Sequence, residues 1–192
     1  MDLSNSKTAQ NLLKAFAGES QARNRYAFAA KAARVEGFEH IAAIFEETAL
    51  NEKEHAKLFY AHLAPLAPGA LEIQVAYPIV TGDLKAQLTA AVNGEREEWE
   101  KVYPGFAKIA KEEGFDDAAR TFDLIARIER EHGERFQRLL DRVGNGTVFT
   151  RPEKIRWRCM DCGNIIESVS APAACPVCKK PQSWQLPVGE MF

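Results

Sequence analysis

Cysteine is missing from the chain until Cys159, and the four that follow form two Cys-x-x-Cys pairs, Cys159/Cys162 and Cys175/Cys178. A disulfide framework for the bulk of the protein is therefore excluded, and in a reducing compartment the two pairs read as metal binding. Uncharged apolar runs of membrane-spanning length are also missing, and Met1 to Gln10 lack the apolar stretch of a signal peptide, so a soluble, cytoplasmic protein is expected. Nor is there an excess of one charge. With 25 basic and 27 acidic side chains the net charge is -2, which offers no field for nucleic acid or an anionic membrane surface. No Gly-x-Gly-x-x-Gly nucleotide signature occurs, so a dinucleotide-binding fold is not expected in this chain.

What is present is helical. Up to Val143 the chain is rich in Ala, Leu, Glu, Lys and Arg with apolar residues at helical spacing. The breaks predict four helices: from Ser4 or Ser6 to Gly37, from Phe38 to Pro65, from Asp83 as cap to Gly114, and from Phe115 to Val143. The stretch Pro65 to Thr81, rich in Pro, Gly and Ala, predicts one long crossover able to return the chain along a whole bundle. Past Val143 the composition changes at Gly144-Asn145-Gly146. Residues 1–146 are expected to form the bundle, and residues 147–192 a linker with a small cysteine domain.

The two helical pairs resemble each other. Glu36-Gly37-Phe38 recurs as Glu113-Gly114-Phe115, Phe45 as Phe122, Glu52 as Glu129 and His55 as His132, all at one offset. Glu19 recurs as Glu95 with the offset one residue shorter, a slip assigned to a loop or turn. The bundle reads as a duplicated helical hairpin.

Ionisable residues interrupt each predicted core stripe. The fourth helix reads Ala118, Phe122, Ile125, Glu129, His132, Phe136, Leu139 and Val143, and the second Ile41, Phe45, Thr48, Glu52, His55 and Phe59. The third reads Leu84, Leu88, Ala91, Glu95, Glu98 and Val102, and the first runs Leu12, Phe16, Glu19 and Tyr26. A lone Glu-x-x-His arises by chance on solvated helices. Two copies, with further glutamates at equal depth in the other two helices, converge on one layer that needs positive charge to fold, and metal ions supply it. Glu46, Glu47, Glu54, Glu97, Glu100 and Glu131 lie off the stripes and read as solvated, while His40 and His62 read as surface or structural.

Gly18-Glu19-Ser20-Gln21-Ala22, Glu52-Lys53-Glu54-His55, Gly94-Glu95-Arg96-Glu97-Glu98 with Tyr103-Pro104, and Glu129-Arg130-Glu131-His132 resemble the rubrerythrin branch of the ferritin-like di-iron proteins. The resemblance covers the whole chain. It implies an all-α ferritin-like four-helix bundle with a C-terminal rubredoxin-like β domain. It implies two irons bridged by Glu52 and Glu129, with Glu19 terminal on one and Glu95 and His132 on the other. Glu98 and His55 then alternate on the first iron, carboxylate when oxidised and imidazole when reduced. Glu98 breaks the duplication, because its counterpart is Ala22. Tyr26 and Tyr103 are expected beside the centre, either packing and bonding a carboxylate or moving a proton or electron.

On spacing alone Cys159, Cys162, Cys175 and Cys178 read first as a zinc site, because zinc ribbons share the two knuckles. Trp157-x-Cys159-x-x-Cys162-Gly163 and Cys175-Pro176-x-Cys178-x-x-Pro181 resemble the rubredoxin-type domain, which favours one iron with zinc as a substitute. The implied function is a peroxidase: hydrogen peroxide reduced at the di-iron centre, electrons entering through the four-cysteine iron from a separate NAD(P)H-linked reductase or a rubredoxin, in a homodimer. The alternatives are a ferroxidase or iron-handling protein and, from another class, a zinc-ribbon nucleic-acid module, against which the near-neutral charge argues.

Overall fold

Ser6, one of the two serines expected to start the first helix, is its cap: the side-chain oxygen accepts from the backbone N–H of Ala9 at 3.0 Å. In the computed structural model, which describes residues 2–189, the helix that follows is α1 (Lys7–Val35), and α2 is Glu39–His62. Asp83 caps α3 (Leu84–Glu97) by accepting from Ala86 N–H at 2.9 Å, as expected. A π-helical turn, Glu98–Val102, joins α3 to α4 (Tyr103–Glu113), so the two are halves of the predicted third rod, and α5 (Asp116–Gly144) is the fourth. The hairpin turns end in Gly37 and Gly114, with φ of 82° and 86°, a left-handed conformation that costs glycine little. No helix among the described residues is long and apolar enough to cross a membrane.

The duplication is visible as reciprocal capping. The Glu36 carboxylate accepts from Leu84 N–H at 2.6 Å, and Glu113 accepts from the N–H groups of Lys7 and Thr8 at 3.0 and 2.8 Å. Each hairpin's turn thus supplies an anion to the N-terminus of the other's first helix, where N–H groups without helical partners and the helix dipole favour it.

The same relation organises the core. One apolar cluster contains Tyr26, Phe45 and Phe136, with ring centroids 4.9 to 5.8 Å apart. The other contains Tyr103, Phe122 and Phe59, at 5.0 to 6.1 Å. Every member of one triad is the sequence counterpart of a member of the other. The glutamates and histidines fall between these clusters.

The one-residue slip has its explanation inside the third rod rather than in a loop. A π turn holds one more residue than an α turn in the same length. It lies between Glu98 and Val102, after the carboxylates that keep the short offset and before Tyr103, which has the long one. The buried stripe therefore passes from Glu95 to Tyr103, Ala107 and Ala110, leaving Val102 only half-buried. Phe16 is likewise half-buried rather than core.

Residues 67–81 contain no helix or strand and run over the bundle as the crossover, pinned where the Tyr77 hydroxyl donates to the Lys14 carbonyl at 3.1 Å. At the other end of the chain Val148 is buried in the Tyr26 cluster, and Phe149 stacks on Phe38 with centroids 5.8 Å apart. An antiparallel sheet follows, ordered β2–β1–β3, from β1 (Thr150–Cys159), β2 (Ile165–Ser170) and β3 (Gln185–Pro187). Trp157 is fully buried in it and donates its indole N–H to Ser168 O at 3.0 Å.

Candidate metal centres

Helical spacing sets each Glu-x-x-His pair on one inward face, and the bundle brings the two pairs against each other. His55 Nδ1 lies 2.9 Å from Glu52 Oε2 and 2.8 Å from Glu129 Oε1, and His132 Nδ1 lies 2.8 Å from Glu129 Oε2 and 3.2 Å from Glu52 Oε1. Each of these carboxylates thus divides its two oxygens between the two imidazoles. Ligand atoms of Glu19, Glu52, His55 and Glu129 lie within 4.8 Å of one another, as do those of Glu52, Glu95, Glu129 and His132. Both groups are buried, and they share Glu52 and Glu129. The Tyr103 hydroxyl donates to Glu19 Oε1 and the Tyr26 hydroxyl to Glu95 Oε1, each tyrosine serving the other hairpin's carboxylate.

Glu98, expected as a seventh ligand, belongs to neither group. It is half-buried and lines a pocket with Gly18, Tyr77 and Tyr103. The off-stripe glutamates are exposed as expected, several of them paired: Glu46 with Arg34, Glu47 with Arg135 and Glu54 with Lys57. His62 is half-buried, 2.8 Å from Thr121 Oγ1, and His40 is buried with its ring edge-on to Phe149.

The electrostatics are those of anions crowded out of water. Burial, then Glu129 and Glu52, push the Glu19 carboxyl well above the ordinary range; burial, then Glu52 and Glu129, do the same to Glu95, and burial with Glu129 and Glu52 to Glu98. Burial alone would lower the two imidazoles, but close contacts with Glu129 and Glu52 override it and hold His55 up at about 10 and His132 at about 9. Burial likewise opposes ionisation of Glu52, but His132 and His55 outweigh it and draw that carboxyl down to about 2.

The donor set fits metal on one further observation. Glu19 Oε2, Glu52 Oε1, Glu95 Oε2, both oxygens of Glu129 and His132 Nδ1 are buried without a hydrogen-bond partner of acceptable geometry. Leaving such groups unsatisfied costs about 1–3 kcal/mol each, more when charged. These atoms belong to the two groups that share Glu52 and Glu129, so the layer has the carboxylate-rich donor set of a paired metal site, in which cations displace protons that the metal-free layer holds.

The second centre is built by two matching turns. Gly163 N–H donates to Cys159 O and Lys179 N–H to Cys175 O, both at 3.0 Å, with Gly163 and Lys179 at φ of 75° and 64°. Cys159 Sγ lies 3.5 Å from Cys178 Sγ, and Cys162 Sγ 3.6 Å from Cys175 Sγ. These gaps are far too long for disulfides and close to the ~3.8 Å edge of a tetrahedron with metal–sulfur bonds of about 2.3 Å.

Three residues near the centres escaped the sequence reading. Tyr77 sits in the crossover, which carries no periodic signal. Gly133 is buried against the third rod, and a Cβ there would lie 3.2 Å from Glu95 Cβ. Trp99 has its indole nitrogen 3.9 Å from the same point, with the Arg130 guanidinium 5.9 Å from its ring. A signal did exist for the tyrosines as partners, because Tyr26 and Tyr103 stand at the offset of the other repeats.

Comparison with known proteins agrees with this architecture. The rubrerythrin family model matches residues 10–140, and the model of the rubredoxin-like domain of rubrerythrin matches residues 157–184. The chain is 49% identical over 184 residues to rubrerythrin of Porphyromonas gingivalis, covering 95% of this chain and 90% of that one. It is also 49% identical over 184 residues to rubrerythrin-1 of Clostridium acetobutylicum, covering 95% and 94%. A solved structure of nigerythrin, in its fully reduced, all-ferrous state, superposes with a TM-score of 0.65 at 32% identity, covering 95% of this chain and 90% of that one. With a family model spanning most of its length and these relatives along nearly all of it, the chain belongs to the rubrerythrin family.

Proposed function

We propose that the protein is a cytoplasmic non-haem di-iron peroxidase that reduces hydrogen peroxide to water and serves in oxidative stress defence. The observation that carries this reading is the presence, in one chain, of two ligand groups sharing Glu52 and Glu129 and a separate four-thiol cluster. When bound, the paired irons supply two electrons in turning ferric, enough with two protons to convert one H2O2 to two H2O, and the cysteine iron supplies replacements one at a time.

Glu52 and Glu129, shared by the two groups, would hold both irons, with Glu19 and His55 completing one site and Glu95 and His132 the other. Tyr103 Oη and Tyr26 Oη keep their protons, because burial and then the adjacent Glu19 and Glu95 push both phenols well above their usual range. They therefore act as donors that fix one oxygen of each terminal carboxylate. Glu98 stands outside the ligand groups while His55 stands within one, so His55 would hold iron in the reduced state and Glu98 would replace it in the oxidised state. Two domains, residues 1–146 and 147–192, work together in a homodimer fed by an external reductase or rubredoxin.

The test is anaerobic. Iron-loaded protein is reduced chemically and titrated with peroxide, and two ferrous ions oxidised per peroxide consumed, with no oxygen released, is the expected result. A pair that reacts with O2 but leaves peroxide untouched points to a ferroxidase instead.

A further inference from the structure

The duplication leaves a gap as well as a ligand set. Gly18 and Gly94, counterparts in the two hairpins, each directly precede a terminal carboxylate, Glu19 or Glu95, and both line one pocket of ≈ 300 Å³. That pocket lies on the seam between α1 and the third rod, and with no side chain at either glycine the seam stays open. Its lining reaches Tyr103, whose hydroxyl is bonded to Glu19, so the cavity touches the residues around the metal layer from outside. The crossover passes over it. Tyr77 holds this strap down through its bond to Lys14 O, and a Cβ built on Gly18 would be 4.0 Å from both Tyr77 Cε1 and Glu98 Oε1. The ring and the unattached carboxylate therefore both border the space over Gly18.

We propose that this glycine-lined seam is the way in to the di-iron centre and that Tyr77 sets the size limit of the substrate, admitting hydrogen peroxide and excluding hydroperoxides with bulky organic groups. The chemistry of the seam suits a small polar guest: Arg25 and Glu98 border it, offering hydrogen-bond partners to a peroxide beside the Tyr77 ring. The assignment of peroxide as substrate rests on the function proposed above, whereas the path itself does not.

Two measurements on the full chain separate these claims. In single-turnover reactions of chemically reduced, iron-loaded protein, the rate with cumene hydroperoxide relative to H2O2 is expected to rise at least about tenfold in Tyr77→Ala; Tyr77→Val serves should the alanine variant not hold iron. In metal-free protein, initial uptake of Co(II), followed by its visible absorption, is expected to be at least about threefold faster in the same variant. Where the wild-type protein reacts with peroxide, an unchanged selectivity ratio in a folded, fully loaded variant overturns the proposal. Where it does not react, the peroxidase reading fails, and the cobalt uptake alone decides the path, with an unchanged rate overturning it.

Discussion

The Tyr103 hydroxyl donates to Glu19 across the interface of the two hairpins, and its counterpart Tyr26 donates to Glu95 in the opposite direction. Each terminal carboxylate is therefore oriented by the half of the bundle that does not contain it. Removing the hydroxyl as Tyr103→Phe leaves a buried acceptor unpaired and a ligand free to swing. Loss of such an orienting partner typically weakens metal binding about 10–100-fold. We expect a fall of at least about tenfold for Tyr103→Phe and a similar one for Tyr26→Phe, read by competition with a chelator. Wild-type affinity in both variants would show that the tyrosines merely pack.

Metal-free protein has a distinctive pH profile. Glu19, Glu95 and Glu98 have raised folded-state pKa values, so the folded chain binds protons that the unfolded chain has released, and stability rises as pH falls from neutral toward about 4.5. His55 and His132, at about 10 and 9, add stability that is fully present below about 6.5 and lost as pH rises through 9 and 10. Glu52, lowered to about 2, adds stability that is lost only as pH falls below 4.5 toward 2. The melting temperature of metal-free protein should therefore be higher at pH 5 than at pH 7, and lowest near pH 10. Metal competes with those protons, so the gap between the two forms should widen as pH rises from 5 to 7. Differential scanning calorimetry of both forms at pH 5, 7 and 10 checks the sign.

Gly133 tests the packing of one half against the other. Its counterpart in the first hairpin is Ala56, which is buried with its methyl accommodated, whereas a methyl at Gly133 would press on Glu95 Cβ at 3.2 Å. Overpacking of this kind costs about 1–3 kcal/mol. Gly133→Ala should lower stability to urea by that amount and preferentially weaken the site of Glu95 and His132, whereas Ala56→Gly should leave the other site's affinity within about threefold. Sequential metal titration of both variants distinguishes the sites.

The exchange role of Glu98 is separable from the bridges. Glu98→Ala restores the symmetry of the duplication and removes no member of either ligand group, so two metals should still bind, with the peroxide reaction slowed. Glu52→Ala or Glu129→Ala removes a residue shared by both groups and should abolish paired binding. Iron analysis gives the stoichiometry, and wild-type peroxide kinetics in Glu98→Ala would refute the exchange.

Much of this was legible because burying an ionisable residue is costly, which makes Glu and His on an apolar stripe conspicuous. The helix caps at Ser6 and Asp83, the ligand layer, the crossover and the thiol cluster all follow from local chemistry or spacing. The π turn did not: the offsets of Glu95 and Tyr103 put the extra residue inside the predicted third helix, but a regular helical period has no register for a residue inserted there. Val102 was placed on the stripe for that reason and is half-buried. Tyr77 was illegible because a crossover has no period against which an inward-facing residue can stand out.

The path of electrons gives the last prediction. The metal layer lies at Glu129 and His132, more than three helical turns before α5 ends at Gly144, a distance of about 20 Å at 1.5 Å per residue. Val148 and Phe149 fasten the linker to the bundle end beside Phe38, so the cysteine domain starts from that end with little slack. Reaching its own chain's metal layer means covering that distance, whereas an antiparallel partner could bring a cysteine domain alongside. Transfer between subunits of a homodimer is therefore expected. A bundle ending at Gly146 keeps all seven predicted di-iron ligands and, after chemical reduction, should still consume peroxide once, while steady turnover with a reductase should collapse without Cys159, Cys162, Cys175 and Cys178. If the truncated protein lacks Val148 and Phe149 too far to fold, replacing Cys162 and Cys178 by serine in the full chain makes the same test. Mixing such an electron-input variant with a Glu52→Ala, Glu129→Ala chain should restore turnover once subunits exchange, because the heterodimer joins one intact di-iron site to the partner's intact cysteine site. Heterodimers that form, verified by mass, yet stay inactive would exclude the route between subunits.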